Sequence, residues 1–258
     1  MIKSEIFVKK MNGDLERYDS DKLKNSLVRA GASDDTIKKI LKKVSEIIYD
    51  KIETKKLFDF VFSELKKDRS PSNLKYNLKN AIIDLRIDGG YVFEKFVGKL
   101  FGKKGYKINM NEIAKGKFVT HEIDVTARKG KEVLMVEVKH HKNPWLGEQI
   151  QTALYIYARF LELKGKYTKP FLVSNTKFSH QVLKYANGMK IGLMGWNYPK
   201  GDSLIENIER YKLYPITILG FDKKRLKEYF EEGILTLEDL RKVEGLSKEI
   251  KDKIDEIL

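Results

Sequence analysis

Two charged side chains lie at the end of an otherwise apolar segment, residues 133–139. They are Glu137 and Lys139. The segment predicts a buried strand, and because side chains alternate across a strand, both charges project from the same face. A buried charge is costly unless it is paired or binds a metal, so charges at the end of such a strand are candidates for chemistry.

A third charged residue, Asp124, lies in the preceding segment, residues 121–127. The Lys-Gly pair at 129–130 predicts a turn that joins the two segments as a hairpin and brings Asp124 beside Glu137. Two adjacent carboxylates suit a hard divalent cation such as Mg²⁺ or Mn²⁺, which prefers oxygen ligands. Such an ion can polarise a phosphodiester and activate a water, which Lys139 could orient. The alternative is a strand that ends in an ordinary salt bridge, because short motifs often match by chance.

Further motifs flank this hairpin. They are Gly90-Tyr91-Val92-Phe93-Glu94-Lys95-Phe96-Val97, Gly105-Tyr106-Lys107-Ile108, Gln151-Thr152-Ala153-Leu154-Tyr155 and Val173-Ser174-Asn175-Thr176. Together with the Glu-x-Lys strand they resemble, in order and spacing, the Mrr-like branch of the restriction endonuclease fold over residues 89–200. The resemblance implies a mixed sheet flanked by helices and a metal-dependent DNA endonuclease.

The resemblance also implies roles for single residues. Asp124 and Glu137 would hold the metal together with the backbone carbonyl of Val138, and Lys139 would position the attacking water. Glu94 would support the metal from the first helix of this domain. These assignments follow from the family's motif, residue by residue.

Other residues of the motif have less defined roles. By the resemblance, Gln151 would be an accessory polar residue near the scissile phosphate, and Tyr155 would either pack in the core or touch DNA. Ile123 replaces the proline that often precedes the family's aspartate. His140 and His141 are expected to be exposed and basic, because no cysteine and no His-x₃-His spacing supports a zinc site.

Composition limits the class of protein. The 258 residues favour two or three domains, and 41% hydrophobic residues are ample for their cores. No apolar run approaches the roughly 18 residues of a membrane helix, no signal-peptide pattern is seen, and the chain has no cysteine. We therefore expect a cytoplasmic protein with no membrane partner.

The net charge of +14 is unevenly distributed. Residues 1–88 carry 20 basic and 15 acidic side chains (+5), residues 89–200 carry 20 and 8 (+12), and residues 201–258 carry 11 and 14 (−3). The excess lies on the nuclease-like segment, where a nucleic acid would bind in a salt-dependent manner. A lysine-rich proteome is the alternative explanation, but it does not account for the asymmetry.

Residues 1–88 predict a separate unit. A strand at 6–10 is followed by an Asn-Gly turn and a second strand at 15–18, with Asp19 or Ser20 as the cap of a first helix from 21 to 30. Three further helices are predicted over 34–50, 54–67 and 72–87, with Thr54 placed to cap the third helix. The glycines after Asp88 predict a linker.

Three motifs of this unit are Val8-Lys9-Lys10-Met11-Asn12-Gly13, Tyr18-Asp19-Ser20-Asp21-Lys22-Leu23 and Lys75-Tyr76-Asn77-Leu78-Lys79-Asn80-Ala81. They resemble an ATP-cone, a small module that binds ATP or dATP as a regulatory ligand without hydrolysing it. The nucleotide contacts implied by this resemblance are Val8 to the base region, Lys10 and Lys22 to the phosphates, Glu16 and Asp19 to the base or ribose, and Thr54 as a polar contact. Met11 replaces the usual arginine, a loss for which Lys9 could compensate. The alternative is a helical interaction domain that has lost its ligand.

Residues 201–258 predict a small helical domain. Residues 233–240 and 244–247 resemble helix-hairpin-helix repeats, which implies either protein packing or contact with DNA phosphates. For the whole chain we expect an Mg²⁺-dependent DNA endonuclease regulated by ATP or dATP, and a homodimer, because cutting two strands requires two sites. RNA is an alternative substrate. There are two alternative functions. One is a catalytically idle regulator that senses a nucleotide and binds nucleic acid, and the other is a pure nucleotide sensor.

Overall fold

The computed structural model describes residues 5–10, 13–68, 70–87, 90–143 and 146–258. Met11, Asn12 of the predicted turn, and Asp88 and Gly89 at the predicted linker lie outside this part of the chain. Two compact units are formed: one comprises Met1–Asn80 with Gly245–Leu258, and the other Ala81–Glu244. No helix in the described part is long and apolar enough to span a membrane.

The N-terminal unit combines a small sheet with helices. The elements from residue 7 to residue 83 are β1 (Phe7–Lys9), β2 (Leu15–Arg17), α1 (Ser20–Arg29), α2 (Asp34–Ile47), β3 (Ile52–Glu53), α3 (Thr54–Lys66), α4 (Ser72–Tyr76) and α5 (Leu78–Ile83). Strand β1 is central, antiparallel to β2 and parallel to β3. The helices bury one apolar cluster, whose members are Leu23, Leu27, Ile37, Ile40, Val44, Val61 and Leu65. The predicted hairpin and the first three helices are confirmed.

Helix ends follow local side-chain chemistry. The carboxylate of Asp19 accepts the backbone N–H groups of Asp21 and Lys22 and so caps α1, as predicted. The expectation that Thr54 caps α3 is wrong, because Glu53 occupies the cap position without a side-chain hydrogen bond. The single helix predicted over 72–87 is also wrong. It breaks at Asn77 into α4 and α5, and α5 ends at Ile83.

The second unit is built on a five-stranded mixed sheet. The elements from residue 91 to residue 240 are α6 (Tyr91–Lys103), β4 (Lys107–Lys115), β5 (Thr120–Lys129), β6 (Glu132–Lys139), α7 (Ile150–Glu162), β7 (Lys169–Ser174), α8 (His180–Met189), β8 (Gly192–Met194), α9 (Leu204–Arg210), a 3₁₀ turn (Ile216–Leu219), α10 (Lys223–Glu231) and α11 (Leu237–Leu240). The last helix, α12 (Lys248–Ile257), belongs to the first unit. The strand order is β4-β5-β6-β7-β8. Pairs β4–β5 and β5–β6 are antiparallel, whereas β6–β7 and β7–β8 are parallel. The predicted mixed sheet flanked by helices, with further helices near the C-terminus, is confirmed.

Strand β6 is central in this sheet and buried on both faces. Met135 joins residues of α7 and α8 in one apolar cluster, which includes Ile156 and Val182. The alternate residues Val136 and Val138 are buried as well. This two-sided burial explains why the strand is nearly all apolar and why the charges at its end stand out.

Candidate active site and nucleotide site

The β5–β6 hairpin places Asp124 next to strand β6. Val125 pairs with Val136 in the antiparallel register. Next to this pair, the backbone N–H of Val138 donates to Oδ2 of Asp124 at 2.7 Å. The predicted juxtaposition of Asp124 with the Glu-x-Lys strand is therefore present in the fold.

Glu137 and Lys139 lie on one face of β6, as their spacing predicts. The Lys139 Nζ donates to Oε1 of Glu137 at 2.7 Å. The Glu137 side chain is only 7% exposed, whereas that of Lys139 is 38% exposed. Lys139 can thus reach solvent while it balances a buried carboxylate.

Arg159 on α7 is a second cation at Glu137. Its Nη1 donates to Oε2 of Glu137 at 2.5 Å, and both side chains are 7% exposed. Its Nη2 donates to the backbone carbonyl of Glu122 on β5. Sequence reasoning did not single out this residue. The sequence did contain a clue to its role, since Arg159 lies three residues after Ile156 on the apolar face of the helix. An arginine at such a position needs a buried partner.

Glu94 approaches the site from α6 and is tied to β4. The Asn111 Nδ2 donates to Oε2 of Glu94 at 3.5 Å and to Oε1 of Glu122 at 3.2 Å. Asn111 has a φ of 49°, in the left-handed region that asparagine tolerates better than most residues. Burial raises the pKa of the Glu94 carboxyl, the hydrogen bond from Asn111 opposes this, and the charges of Glu122 and Glu137 add to it.

The carboxylates are crowded, which fits a site that takes up a cation. Burial, and then the charge of Glu137, raise the pKa of Asp124 to about 7. In the described part of the chain no group of three or more histidine, cysteine or acidic side chains is arranged to hold a metal. The available donors are Asp124, Glu137 and the carbonyl of Val138, and such an open set suits Mg²⁺, which usually keeps several waters.

The two histidines after Lys139 are not the exposed basic pair that the sequence predicts. His140 stacks on Phe93 with ring centroids 4.4 Å apart, and its Nε2 is 2.9 Å from the carbonyl oxygen of Ile82. Burial lowers the pKa of His140 to about 4, so it is uncharged at neutral pH. His141 pairs with the buried Glu148. The expectation was wrong for His140, because tertiary packing covers its ring, whereas the His141 side chain is 32% exposed and is held by Glu148.

Gln151 and Tyr155 lie on the outer side of α7. Gln151 is exposed, and among the described residues no hydrogen bond joins it to the carboxylates. Tyr155 is 56% exposed, and the Cζ of Arg159 lies 5.2 Å from its ring centroid. Of the two alternatives for Tyr155, core packing is thus wrong, and the role of Gln151 remains a prediction.

The residues expected to bind nucleotide gather around β1 and the start of α1. Glu16 on β2 forms ion pairs with Lys10 and Lys22. These contacts lower the pKa of Glu16 to about 2. Because both lysines already hold one anionic group, a phosphate would have to compete with Glu16 for them.

The remaining residues of this set lie close by. Val8 on β1 pairs with Glu16 of β2, and the Thr54 hydroxyl donates to the carbonyl of Lys9 at 3.2 Å. The Asp19 carboxylate is engaged in capping α1. The fold therefore brings the predicted nucleotide contacts to one region.

Two protein-family patterns match the chain. Residues 87–199 match the Mrr catalytic family, described as restriction endonuclease, and residues 6–78 match the ATP cone domain. The chain belongs to this restriction endonuclease family and carries an ATP cone domain ahead of its nuclease-like domain. Both resemblances drawn from the sequence are confirmed.

The chain is also similar to individual proteins. An uncharacterized protein of Archaeoglobus fulgidus is 38% identical over 145 residues, which span 56% of this chain and 83% of that protein. The crystal structure of AF1548, a protein of unknown function, shows 36% identity and a TM-score of 0.54, and the match covers 65% of this chain and 95% of that one. Can2 from Sulfobacillus thermosulfidooxidans, in complex with cyclic tetra-adenylate, shows 15% identity and a TM-score of 0.36 over 48% of this chain and 35% of that one. That score is too low to relate the two folds.

Proposed function

We propose that this chain is a metal-dependent DNA endonuclease whose activity responds to ATP or dATP bound at its ATP cone. The observation that carries the proposal is the convergence of Asp124, Glu137 and Lys139 at one end of the β5–β6 hairpin. The chain would act on DNA through residues 89–200, which carry a basic excess of 12 charges (20 basic minus 8 acidic). We retain three domains in this proposal, 1–88, 89–200 and 201–258.

The donors at the site define the chemistry we propose. Asp124, Glu137 and the carbonyl of Val138 would hold Mg²⁺ or Mn²⁺, which when bound polarises a phosphodiester and lowers the pKa of a water. Lys139 would orient the attacking water and stabilise charge on the phosphorus oxygens. Arg159 would hold the Glu137 carboxylate in place from the buried side, through its 2.5 Å hydrogen bond.

Glu94 and Gln151 would complete the site. Glu94 is half-buried, its charge acts on Asp124, and it would support the metal's water ligands, with Asn111 fixing its carboxylate. Gln151 would contact the substrate from the exposed side of α7. Hydrolysis would proceed by direct attack of water on phosphorus.

The test is cleavage of supercoiled, linear, single-stranded and branched DNA, with an RNA substrate in parallel, with and without Mg²⁺ and Mn²⁺. We expect the wild type to cut only with metal, and Lys139→Ala and Asp124→Ala to lose at least 100-fold in rate. Lys184→Ala, an exposed lysine on α8 of the same unit, is the matched control and should cut normally. Equal cutting by wild type and Lys139→Ala would refute the assignment.

A catalytically idle regulator is the second candidate. It is favoured by one observation, that both oxygens of Glu137 accept hydrogen bonds from cations, Lys139 and Arg159. This function predicts salt-sensitive DNA binding with no cleavage at any metal concentration. The same assay separates the two functions, and repeating it with ATP and dATP shows whether the ATP cone controls the rate.

A further inference from the structure

The β4–β5 pair extends past the rest of the sheet at the end that carries the candidate active site. Strand β5 pairs with β6 from Val125 onward, whereas residues 120–123 pair with β4. Because β5 runs antiparallel to β6, these earlier residues lie beyond the end of β6 that bears Lys139. Residues 112–123 therefore form a two-stranded arm that begins beside Asp124, and we call them the ribbon arm.

The tip of the ribbon arm is held in place by the last residue of α7, Glu162. The backbone N–H groups of Lys117 and Val119 donate to the carbonyl and the carboxylate of Glu162 at 3.2 and 3.5 Å. The same carboxylate pairs with His121. Gly116 permits this close approach, because an added Cβ would lie 2.3 Å from Oε2 of Glu162. The backbone of the tip is thus fixed by several contacts.

An aromatic ring projects from this fixed tip into solvent. Phe118 is 76% exposed, and its neighbour Val119 is 56% exposed. The Nζ of Lys117 lies 4.8 Å from the centroid of the Phe118 ring. A ring this exposed buries little area and so contributes little to folding. Both of its faces are large apolar surfaces on which a flat partner can stack.

The surroundings of the ring are positively charged. Four exposed lysines come from the arm and from the loop after α7, and none of them forms an ion pair with a described residue: Lys115, Lys117, Lys164 and Lys166. The Lys166 Nζ donates to the backbone carbonyl of Lys115 at 2.7 Å, which joins the two segments. The nearby Glu162 is already paired with His121, and the exposed Glu122 accepts a hydrogen bond from the Asn111 side chain. Uncompensated lysines around an aromatic ring select a partner that is both anionic and flat, which describes a nucleic acid better than an apolar protein surface.

The length of the arm sets where it would meet a substrate. Four residues separate Thr120 from Asp124, which corresponds to about 13 Å of strand, and Phe118 lies two residues further out, at up to about 20 Å. Successive nucleotides of one DNA strand are about 3.4 Å apart along the helix axis. The tip would therefore reach a nucleotide roughly four to six positions from a phosphate held at Asp124.

We propose that the tip of the ribbon arm is a base-stacking site, in which Phe118 stacks on an unpaired base of DNA and the four lysines contact the phosphates beside it. This inference rests on the proposed function for its substrate, DNA, and adds the class of DNA. In a continuous duplex each base is already stacked on its neighbours, so Phe118 could enter only by separating a base step at a cost in free energy. Single strands, bubbles and branches present unpaired bases without that cost. The favoured substrate is accordingly DNA that contains unpaired bases.

Fluorescence anisotropy of labelled DNA, with EDTA present so that no cleavage occurs, is the first test. The substrates are a single strand, a duplex with a central bubble and the fully paired duplex. We expect the wild type to bind the bubble more tightly than the duplex, and Phe118→Ala to weaken bubble binding by at least about fivefold and duplex binding by less than about twofold. Phe118→Tyr keeps a ring and should bind as the wild type does. Met189→Ala, at an apolar position of α8 that is 40% exposed, is the matched control and should change neither affinity.

Two further readouts test the contacts themselves. A 2-aminopurine in the bubble should change its fluorescence when the wild type binds, and this change should be lost with Phe118→Ala and kept with Phe118→Tyr. On the single strand, Lys117→Ala should reduce the slope of log affinity against log salt by roughly 0.7, whereas Lys184→Ala should leave it unchanged.

The outcomes separate this inference from the nuclease assignment. Binding that depends on Phe118 but is never followed by metal-dependent cleavage would support the stacking site and count against the nuclease. Cleavage that requires Lys139, together with equal bubble binding by wild type and Phe118→Ala, would reject the stacking site alone. Equal losses of Phe118→Ala on bubble and duplex, or no DNA binding by the wild type, would also overturn it.

Discussion

Replacing Arg159 should destabilise the sheet unit strongly, because this side chain is the buried counter-ion of Glu137. Arg159→Met keeps a long apolar side chain that fits the interior but removes two hydrogen bonds, one to Oε2 of Glu137 and one to the carbonyl of Glu122. A carboxylate that is 7% exposed would lose one of its two cations. Lys139 would remain as the other, at 38% exposure.

The magnitude follows from these contacts. Breaking a buried ion pair by removing one partner typically costs about 3–5 kcal/mol. Because Lys139 still balances Glu137 from the solvent side, we expect the lower end, about 3 kcal/mol. Arg159→Lys keeps the charge, but a single ammonium group cannot bond to both acceptors. This variant should therefore lose about half as much free energy of unfolding as Arg159→Met. Arg159→Met combined with Glu137→Gln should cost less than the sum of the single changes, by at least about 1.5 kcal/mol.

Hydrogen exchange of the β6 amides in the full chain is the suitable assay, because a chain of two compact units does not unfold in one step. A loss of about 3 kcal/mol corresponds to exchange that is faster by about two orders of magnitude in β6. Amides of α2 in the other unit provide the internal reference. Exchange in β6 that changes less than threefold in Arg159→Met, or additive single changes, would refute the reasoning.

Two further predictions concern the ATP cone and the sheet core. Lys10→Ala and Lys22→Ala should each weaken ATP and dATP binding by about 10-fold or more, as measured by isothermal titration calorimetry, because each removes a charged donor to phosphate. Gly192→Ala should lower the unfolding temperature, at a cost of about 1–3 kcal/mol, because an added Cβ would lie 2.1 Å from the Phe171 ring. Gly188→Ala, in the same region but with open space around it, should instead be neutral or stabilising.

The lysine prediction has a matched control. Lys24→Ala removes an exposed lysine of α1 that lies outside the predicted set and should leave nucleotide affinity unchanged. Equal affinity losses in Lys24→Ala and Lys22→Ala would indicate a general charge effect. For the glycine pair, equal unfolding temperatures of Gly192→Ala and Gly188→Ala would show that Phe171 can move aside.

Two features of the chain before residue 84 were not predicted from the sequence. Strand β3 has two residues and exists through its parallel pairing with β1. The break between α4 and α5 falls at Asn77, a residue of modest helix propensity. Apolar spacing alone cannot show either feature.

The sequence by itself determined the β5–β6 hairpin and the position of Asp124 beside Glu137, because strand alternation and turn residues act over a few positions. It also determined that Glu137 and Lys139 share a face. The mixed sheet was implied by the resemblance to the Mrr-like family. Only the tertiary structure decided that Arg159 meets Glu137, that Asn111 holds Glu94, and that His140 is buried and uncharged at neutral pH. Each of these depends on which side chains of separate elements pack against one another, and such contacts join residues far apart in the chain.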